Sequence, residues 1–192
     1  MLRAVLCTTV AVVSLSAGAI GLVGIPAGAA VFQQSSPLLT KFRAAVGEVT
    51  GQEERERAAR EFVASLSEGD RVLLARALTK SQQQNEMTRG AALLVDLHRE
   101  KEAAPVFAAF VTGGGDMTAY FWSWMHRGDD KLAPRMYIAI SRELLARIDS
   151  LSGEPRRRAE ALLVADGYGA HIDTYSRKAV EDRLAALERT IR

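Results

Sequence analysis

The sequence predicts an all-α protein, and three observations carry that prediction. Apolar residues recur at three- and four-residue spacings through most of the chain, and no period-two alternation of useful length appears. Pro37, Pro105, Pro134 and Pro155 each stand just ahead of an apolar stretch of helical period. A missing N–H costs nothing there, because first-turn donors have no helical partner. The expected architecture is a stack of antiparallel helix pairs, about nine helices in all, closed as a solenoid or as an irregular bundle.

The first 30 residues read differently from the rest. Arg3 supplies one positive charge, residues 4–25 carry none, and Pro26-Ala27-Gly28-Ala29-Ala30 closes the segment with small residues. A basic start, an apolar middle and a small-residue exit make a secretory signal, with cleavage expected before Ala30 or Val31. Residues 31–192 are then a single exported domain, in a bacterial periplasm or outside the cell. The rival reading is a membrane anchor, the one route by which a membrane would become a partner. The run over 4–25 is long enough for that. It is diluted by Thr8, Thr9, Ser14, Ser16 and several glycines, however, and no basic stop-transfer cluster follows.

In chain order, Ser36 and Pro37 open a first helix with Leu38, Phe42, Ala45 and Val49 inward, and Gly51 ends it. A second is expected over 52–67 with Ala59, Phe62, Val63 and Leu66 inward and Glu53 to Arg57 as a solvated charged face. Gly69 is read as a break and Asp70 as the cap of a third helix bearing Val72, Leu73, Leu74, Ala77 and Leu78. Residues 81–85 form a polar link. Two helices then run back to back across Thr88–Val111, joined by a charged turn at Arg99 to Glu102. Gly113-Gly114-Gly115 reads as the longest flexible element, and Asp116 as the cap of a sixth helix carrying Met117, Tyr120, Phe121 and Trp124. A seventh is expected over 133–151 and an eighth over 155–166. The last, 174–192, has Val180, Leu184, Leu187 and Ile191 in register, with Arg177–Glu181 and Glu188–Arg192 placed to pair.

Arg57-Ala58-Ala59, Arg89-Gly90-Ala91 and Arg158-Ala159 each lead into an apolar pair, Phe62-Val63, Leu94-Val95 and Leu163-Val164, at intervals of roughly one or two 34-residue units. Arg89, Ala91, Ala92 and Leu94, followed by a turn and Ala103-Ala104-Pro105-Val106-Phe107, resembles a HEAT-type helical repeat. That family's motif has an arginine and small residues in one helix and an alanine-proline start to the next. The resemblance covers residues 88–111, is looser in the outer pairs, and fails near Ser123, where an aromatic cluster replaces the arginine. It implies a scaffold that binds other macromolecules along a curved surface, with no catalytic residues.

Charge and motif content exclude several chemistries. Lys and Arg total 25 against 23 Asp and Glu, a balance unlike the clustered basic excess of a nucleic-acid binder. Cys7, the one cysteine, falls in the signal, so cysteine nucleophiles and thiolate metal sites are not expected in the mature chain. A domain of about 160 residues buries enough surface to stand without disulfides. No H-E-x-x-H, G-x-S-x-G or Gly-Lys-Ser/Thr string occurs. No catalytic residue, metal or cofactor is expected. The metal-binding or hydrolytic alternative rests on His126 beside Asp129-Asp130, or on His171 beside Asp166 and Asp173.

Residues 120–126, Tyr-Phe-Trp-Ser-Trp-Met-His, are the one stretch with excess local character. Positions 117, 120, 121 and 124 share one face, whereas Trp122 and Met125 fall off it. An outward tryptophan beside a glycine-rich loop suits a protein contact, because such residues dominate binding energy. The expected partner is another protein, and the expected contact residues are Asp116, Trp122, Trp124 and Met125, with Arg156 and Arg157 as a small basic spot. Mass spectrometry of the secreted chain is expected to find Ala30 or Val31 at its N terminus; a retained residue 4–25 segment is the outcome that an anchor requires.

Overall fold

The computed structural model describes residues 36–165 and 167–192; the expected signal segment, 1–30, lies outside them. The described residues are all-helical. They form α1 (Pro37–Gly47), α2 (Gln52–Ser65), α3 (Glu68–Thr79), α4 (Gln84–Asp96), α5 (Glu100–Thr112), α6 (Thr118–Met125), α7 (Leu132–Arg147), α8 (Gly153–Val164) and α9 (Arg177–Ile191), with a 3-10 turn at Ile148–Ser150. None of these helices is long and apolar enough to cross a membrane.

Several boundaries differ from expectation, each for a local reason. Ser67, not Asp70, caps α3. Its hydroxyl oxygen accepts from the Asp70 backbone N–H at 3.2 Å, and its O–H donates to the Asp70 carboxylate at 2.8 Å. With first-turn donors served this way, Gly69 is carried into the helix instead of breaking it. Leu73, expected inward, is exposed, and the buried face of α3 is Leu74, Ala75 and Leu78. The charged turn also shifts. Glu100 to Glu102 are the first turn of α5, and the chain reverses over Leu97 to Arg99.

That reversal is a Schellman motif. Arg99 N–H donates to the Leu94 carbonyl at 2.8 Å and His98 N–H to the Val95 carbonyl at 3.0 Å, with His98 in the left-handed region at φ 56°. Because α5 begins at Glu100, Pro105 lies inside it, not at its start as the HEAT-type pattern implied. The missing N–H removes the bond to the carbonyl of exposed Lys101, so the loss falls on the solvent side of the second turn.

Packing centres on α3, α4 and α5. α3 lies along α4, α4 along α5, and α5 also contacts α7 and α8; α7 supports α9. The face of α5 made by Ala103, Ala104, Phe107, Ala108 and Val111 is buried throughout. A larger core runs from Ala75 through α4, α5 and α7 to Leu184, and a smaller one joins Leu39, Phe42, Ala59, Leu74 and Leu78. α3 faces both cores, with Ala75 in one and Leu74 and Leu78 in the other.

Arginine–carboxylate pairs tie the helices across the surface. Arg43 meets Glu86 at 2.7 Å, and Arg76 meets Glu102 at 2.8 Å. Arg89 reaches Glu56, which the sequence placed on a solvated face. Glu188 pairs with Arg142, at 2.9 Å from its Nε, and not with Arg192, whereas the expected Arg177–Glu181 approach is present at 3.6 Å. Such exposed pairs contribute about 0–1 kcal/mol each, so they set register more than stability.

At Gly90, α4 approaches the backbone of α3 closely. A Cβ there would stand 2.7 Å from the Ala75 carbonyl oxygen and from Leu78 Cβ, and 2.8 Å from the Thr79 nitrogen. Gly→Ala within a helix ordinarily stabilises by about 1 kcal/mol. At Gly90 the sign is expected to reverse, since α3 backbone has to move: Gly90→Ala should destabilise by about 1–3 kcal/mol. Urea denaturation checks this, and an unchanged or raised midpoint contradicts it.

Candidate functional site

Asp116, Trp122 and Met125 of the expected contact residues lie along α6 and its entry, and the glycine loop before it explains how. α5 ends in a second Schellman motif: Gly115 N–H donates to the Phe110 carbonyl at 2.8 Å and Gly114 N–H to the Val111 carbonyl at 3.0 Å. Gly114 takes the left-handed position at φ +99°, the conformation glycine adopts without steric cost. The stretch expected to be a flexible linker is therefore a defined helix cap. Asp116 follows, its Oδ1 accepting from the Thr118 N–H at 2.8 Å and the Thr118 hydroxyl at 2.7 Å. These bonds, the hydroxyl's foremost, hold the Asp116 carboxyl below its usual range. The sequence put the cap of this helix at Asp116; the cap position is Met117, one residue later, with Asp116 serving the Thr118 N–H from just outside the helix.

α6 then divides its aromatics between two faces. Trp124 is 1% exposed and packs edge-on against Phe107 and Phe121, each at 5.3 Å between ring centres. Trp124 thus anchors α6 to the core and offers no surface to a partner, which corrects its place among the contact residues. The helical turn sends its neighbours the other way. Trp122 is 61% exposed and Met125 53% exposed.

A cleft of about 750 Å³ opens between α6 and α8. Asp116, Trp122 and Met125 line the α6 side, Arg158, Ala161 and Leu162 the α8 side, and Tyr137 and Tyr168 the floor. The two tyrosine rings stack at 4.4 Å and 9°. Burial pushes both hydroxyls above the ordinary tyrosine range. The Tyr137 hydroxyl donates to the Leu163 carbonyl at 3.1 Å, so the floor is bonded to the C-terminal end of α8.

Behind that floor lies Arg183 of α9, only 3% exposed. It donates to the Ala165 carbonyl at 3.1 Å, to the Leu163 carbonyl and to the Tyr137 hydroxyl, and its guanidinium stands 5.4 Å from the centre of the Tyr137 ring. A cation at the end of α8 complements the partial negative charge of the unpaired carbonyls there. The sequence offered no sign of it, because Arg183 reads as one of many surface arginines on a charged helix.

The basic spot separates into unlike members. Arg156 bonds Glu160 at 2.8 Å and Arg157 bonds Glu154, both within α8. Neither lines the cleft; Arg158, the third of the run, does. Its Nη1 donates to the Thr112 carbonyl at 3.4 Å, and its Nε is 3.7 Å from Glu154.

The histidines behind the metal-binding alternative have local roles. His126 Nδ1 lies 2.7 Å from the Trp122 carbonyl, a bond that requires the proton on Nδ1, and its ring lies against Trp122 at 4.3 Å, tilted by 32°. His171 Nε2 meets the Asp173 carboxylate at 2.9 Å. Among the described residues no group of three or more His, Cys, Asp or Glu is placed to hold a metal ion.

No protein-family model matches this chain. No curated protein and no solved structure matches it either.

Arg183→Met keeps the length of the side chain's apolar stem and removes the donors that serve Leu163, Ala165 and Tyr137. The expected loss is about 1–3 kcal/mol, since the Ala165 carbonyl would lose its charged donor and the Leu163 carbonyl and Tyr137 hydroxyl would be left with the bond between them. Chemical denaturation measures it, and a wild-type midpoint would show that these groups find other partners.

Proposed function

We propose that this chain is an exported, non-catalytic helical protein that acts as a protein-interaction scaffold through the outward face of α6. The observation that carries this reading is the pair Trp122 and Met125, both more than half exposed on a helix whose other face is locked by buried Trp124. Large apolar side chains cost solvation when left in water, and a rigid tryptophan contributes contact area at low entropic cost. The His126 ring lying against it further restricts Trp122, which lowers the ordering cost of binding. Export follows from the signal-like residues 1–30, and the scaffold role agrees with the HEAT-like character of residues 88–111. On this reading α4 and α5 carry the contact face and take no part in chemistry.

The surface available suits recognition better than turnover. The carboxylates and histidines near the cleft are bonded to their own helix or turn, as with Asp116 to Thr118 and His126 to the Trp122 carbonyl. Among the described residues no proton-transfer pair faces the cleft. The arrangement is that of a shaped surface with an apolar anchor at its edge.

The test uses the secreted chain as bait in its own host, followed by identification of the protein recovered and titration of that protein with wild type and Trp122→Ala. Binding is expected to weaken about 30-fold, the effect of losing a hot-spot tryptophan worth about 2 kcal/mol. The circular dichroism spectrum should not change, because Trp122 supports no core contact. Equal affinity for Trp122→Ala would overturn the assignment of this face.

A further inference from the structure

We propose that the cleft between α6 and α8 binds a small anionic amphiphile, a straight-chain carboxylate, with its tail in the cleft and its head on Arg158. This site adjoins the protein contact proposed above and shares Trp122 and Met125 with it, but it needs no macromolecular partner.

Size and lining come first. At about 750 Å³ the cleft lies within the range of small-molecule sites, roughly 300–1,000 Å³. Its walls are chiefly apolar, with Met117, Phe121 and Met125 facing Leu162 and Tyr168. Two of these are methionines, whose unbranched thioethers adjust to a flexible chain better than branched residues do. A flat alkyl tail would find aromatic faces on the floor and adaptable side chains at the mouth.

Charge selects the head group. Arg158 is the cation that lines this cleft, and its donors are under-used compared with those of its neighbours. Arg156 and Arg157 each hold a carboxylate of α8 in close contact. Arg158 has only a long bond of 3.4 Å to the Thr112 carbonyl, and its Nε stands 3.7 Å from Glu154, beyond hydrogen-bonding reach. A guanidinium offers five N–H donors in a planar fork that fits a carboxylate two-fold. Part of the role of Arg158 is to complement the C-terminal end of α5 at Thr112. That long bond and the loose ion pair with Glu154 leave most of the fork for a ligand.

The glycine loop is shaped around this guanidinium. A Cβ on Gly114 would stand 2.8 Å from Arg158 Nη1, so the left-handed glycine that ends α5 also makes room for the cation at the rim. Among the described lining residues the opposing charge is Asp116, whose Oδ1 is occupied by the Thr118 N–H and hydroxyl. It sets the polarity of the site: a ligand carboxylate would sit on the α8 side, away from Asp116.

Titration calorimetry with dodecanoate, below its micelle concentration, tests the proposal on the secreted chain. Saturable one-to-one binding is expected. Dodecyltrimethylammonium, with the same tail and the opposite charge, should bind at least tenfold more weakly. Arg158→Gln should weaken dodecanoate at least tenfold, and Ala161→Trp, which places a bulky ring on the exposed wall of α8, should abolish the binding. No saturable binding of dodecanoate, or equal binding of the cationic amphiphile, would overturn the proposal, and neither of these wild-type readings depends on a variant folding. Unchanged binding to a folded Arg158→Gln protein would also overturn it. Arg158→Gln should leave the affinity for the protein recovered through Trp122 within about threefold, which separates failure of this site from failure of the protein contact.

Discussion

The closeness of α3 to α4 is the constraint from which the rest of the packing follows. It depends on the absence of one carbon atom, the Cβ of Gly90, which would collide with the Ala75 carbonyl, Leu78 Cβ and the Thr79 nitrogen. Helices in contact usually stand about 8–10 Å apart, and the lower end of that range needs small residues at the crossing. Here Gly90 and Ala91 on α4 meet Ala75 on α3, and Ala103, Ala104 and Ala108 continue the small surface on α5. Three helices can therefore form a tight slab, with larger side chains such as Phe107 and Leu94 filling the space beyond it.

α5 carries that slab to the rest of the molecule. It contacts α4, α7 and α8, so its C-terminal end is held from several sides, and the Schellman turn at Gly114 inherits that rigidity. The turn sets the entry of α6, Asp116 fixes the first donors, and buried Trp124 sets the rotation of the helix. Once those are set, Trp122 and Met125 have no place but the outside. The cleft is then a consequence of two helix ends. The C-terminal end of α5 supplies the glycine rim, and that of α8 supplies the carbonyls that Arg183 and Tyr137 bind. Polar anchoring behind an apolar floor is costly if incomplete, and Arg183 Nε has no hydrogen-bond partner among the described residues. The remaining donors serve two carbonyls and a hydroxyl, which fixes the orientation of the stacked tyrosines.

Much of this was legible in the residues. The helical stretches of the described residues follow from spacing, proline placement and caps, and Val180 and Leu184 of α9 are buried as the period selects, with Leu187 and Ile191 half-buried. Trp122 and Met125 fell off the apolar face of α6 in the sequence and lie exposed in the structure. The misses share a cause. Pro105 reads as a helix start because proline prefers the first turn, but Glu100 and Glu102 are favourable at a helix N terminus and extend α5 backward. Gly113 to Gly115 reads as a linker because glycine is permissive, yet permissiveness is also what a left-handed cap needs. Trp124 was grouped with Trp122 as a contact residue by neighbourhood, although its position on the helix already assigned it inward.

Fold class, helix order and the outward tryptophan were set along the chain, because helical period, proline placement and capping are local properties. Which helices touch is not local. The meeting of Arg158 with the Gly114 turn, the burial of Arg183 behind Tyr137, and the reach of Glu188 to Arg142 instead of Arg192 join residues that are far apart in the chain. They depend on how α5, α7, α8 and α9 settle around one core. An arginine in sequence is compatible with a solvated surface, a surface pair or a buried anchor. Only the packed neighbours determine which of these it becomes, by supplying or withholding water and acceptors.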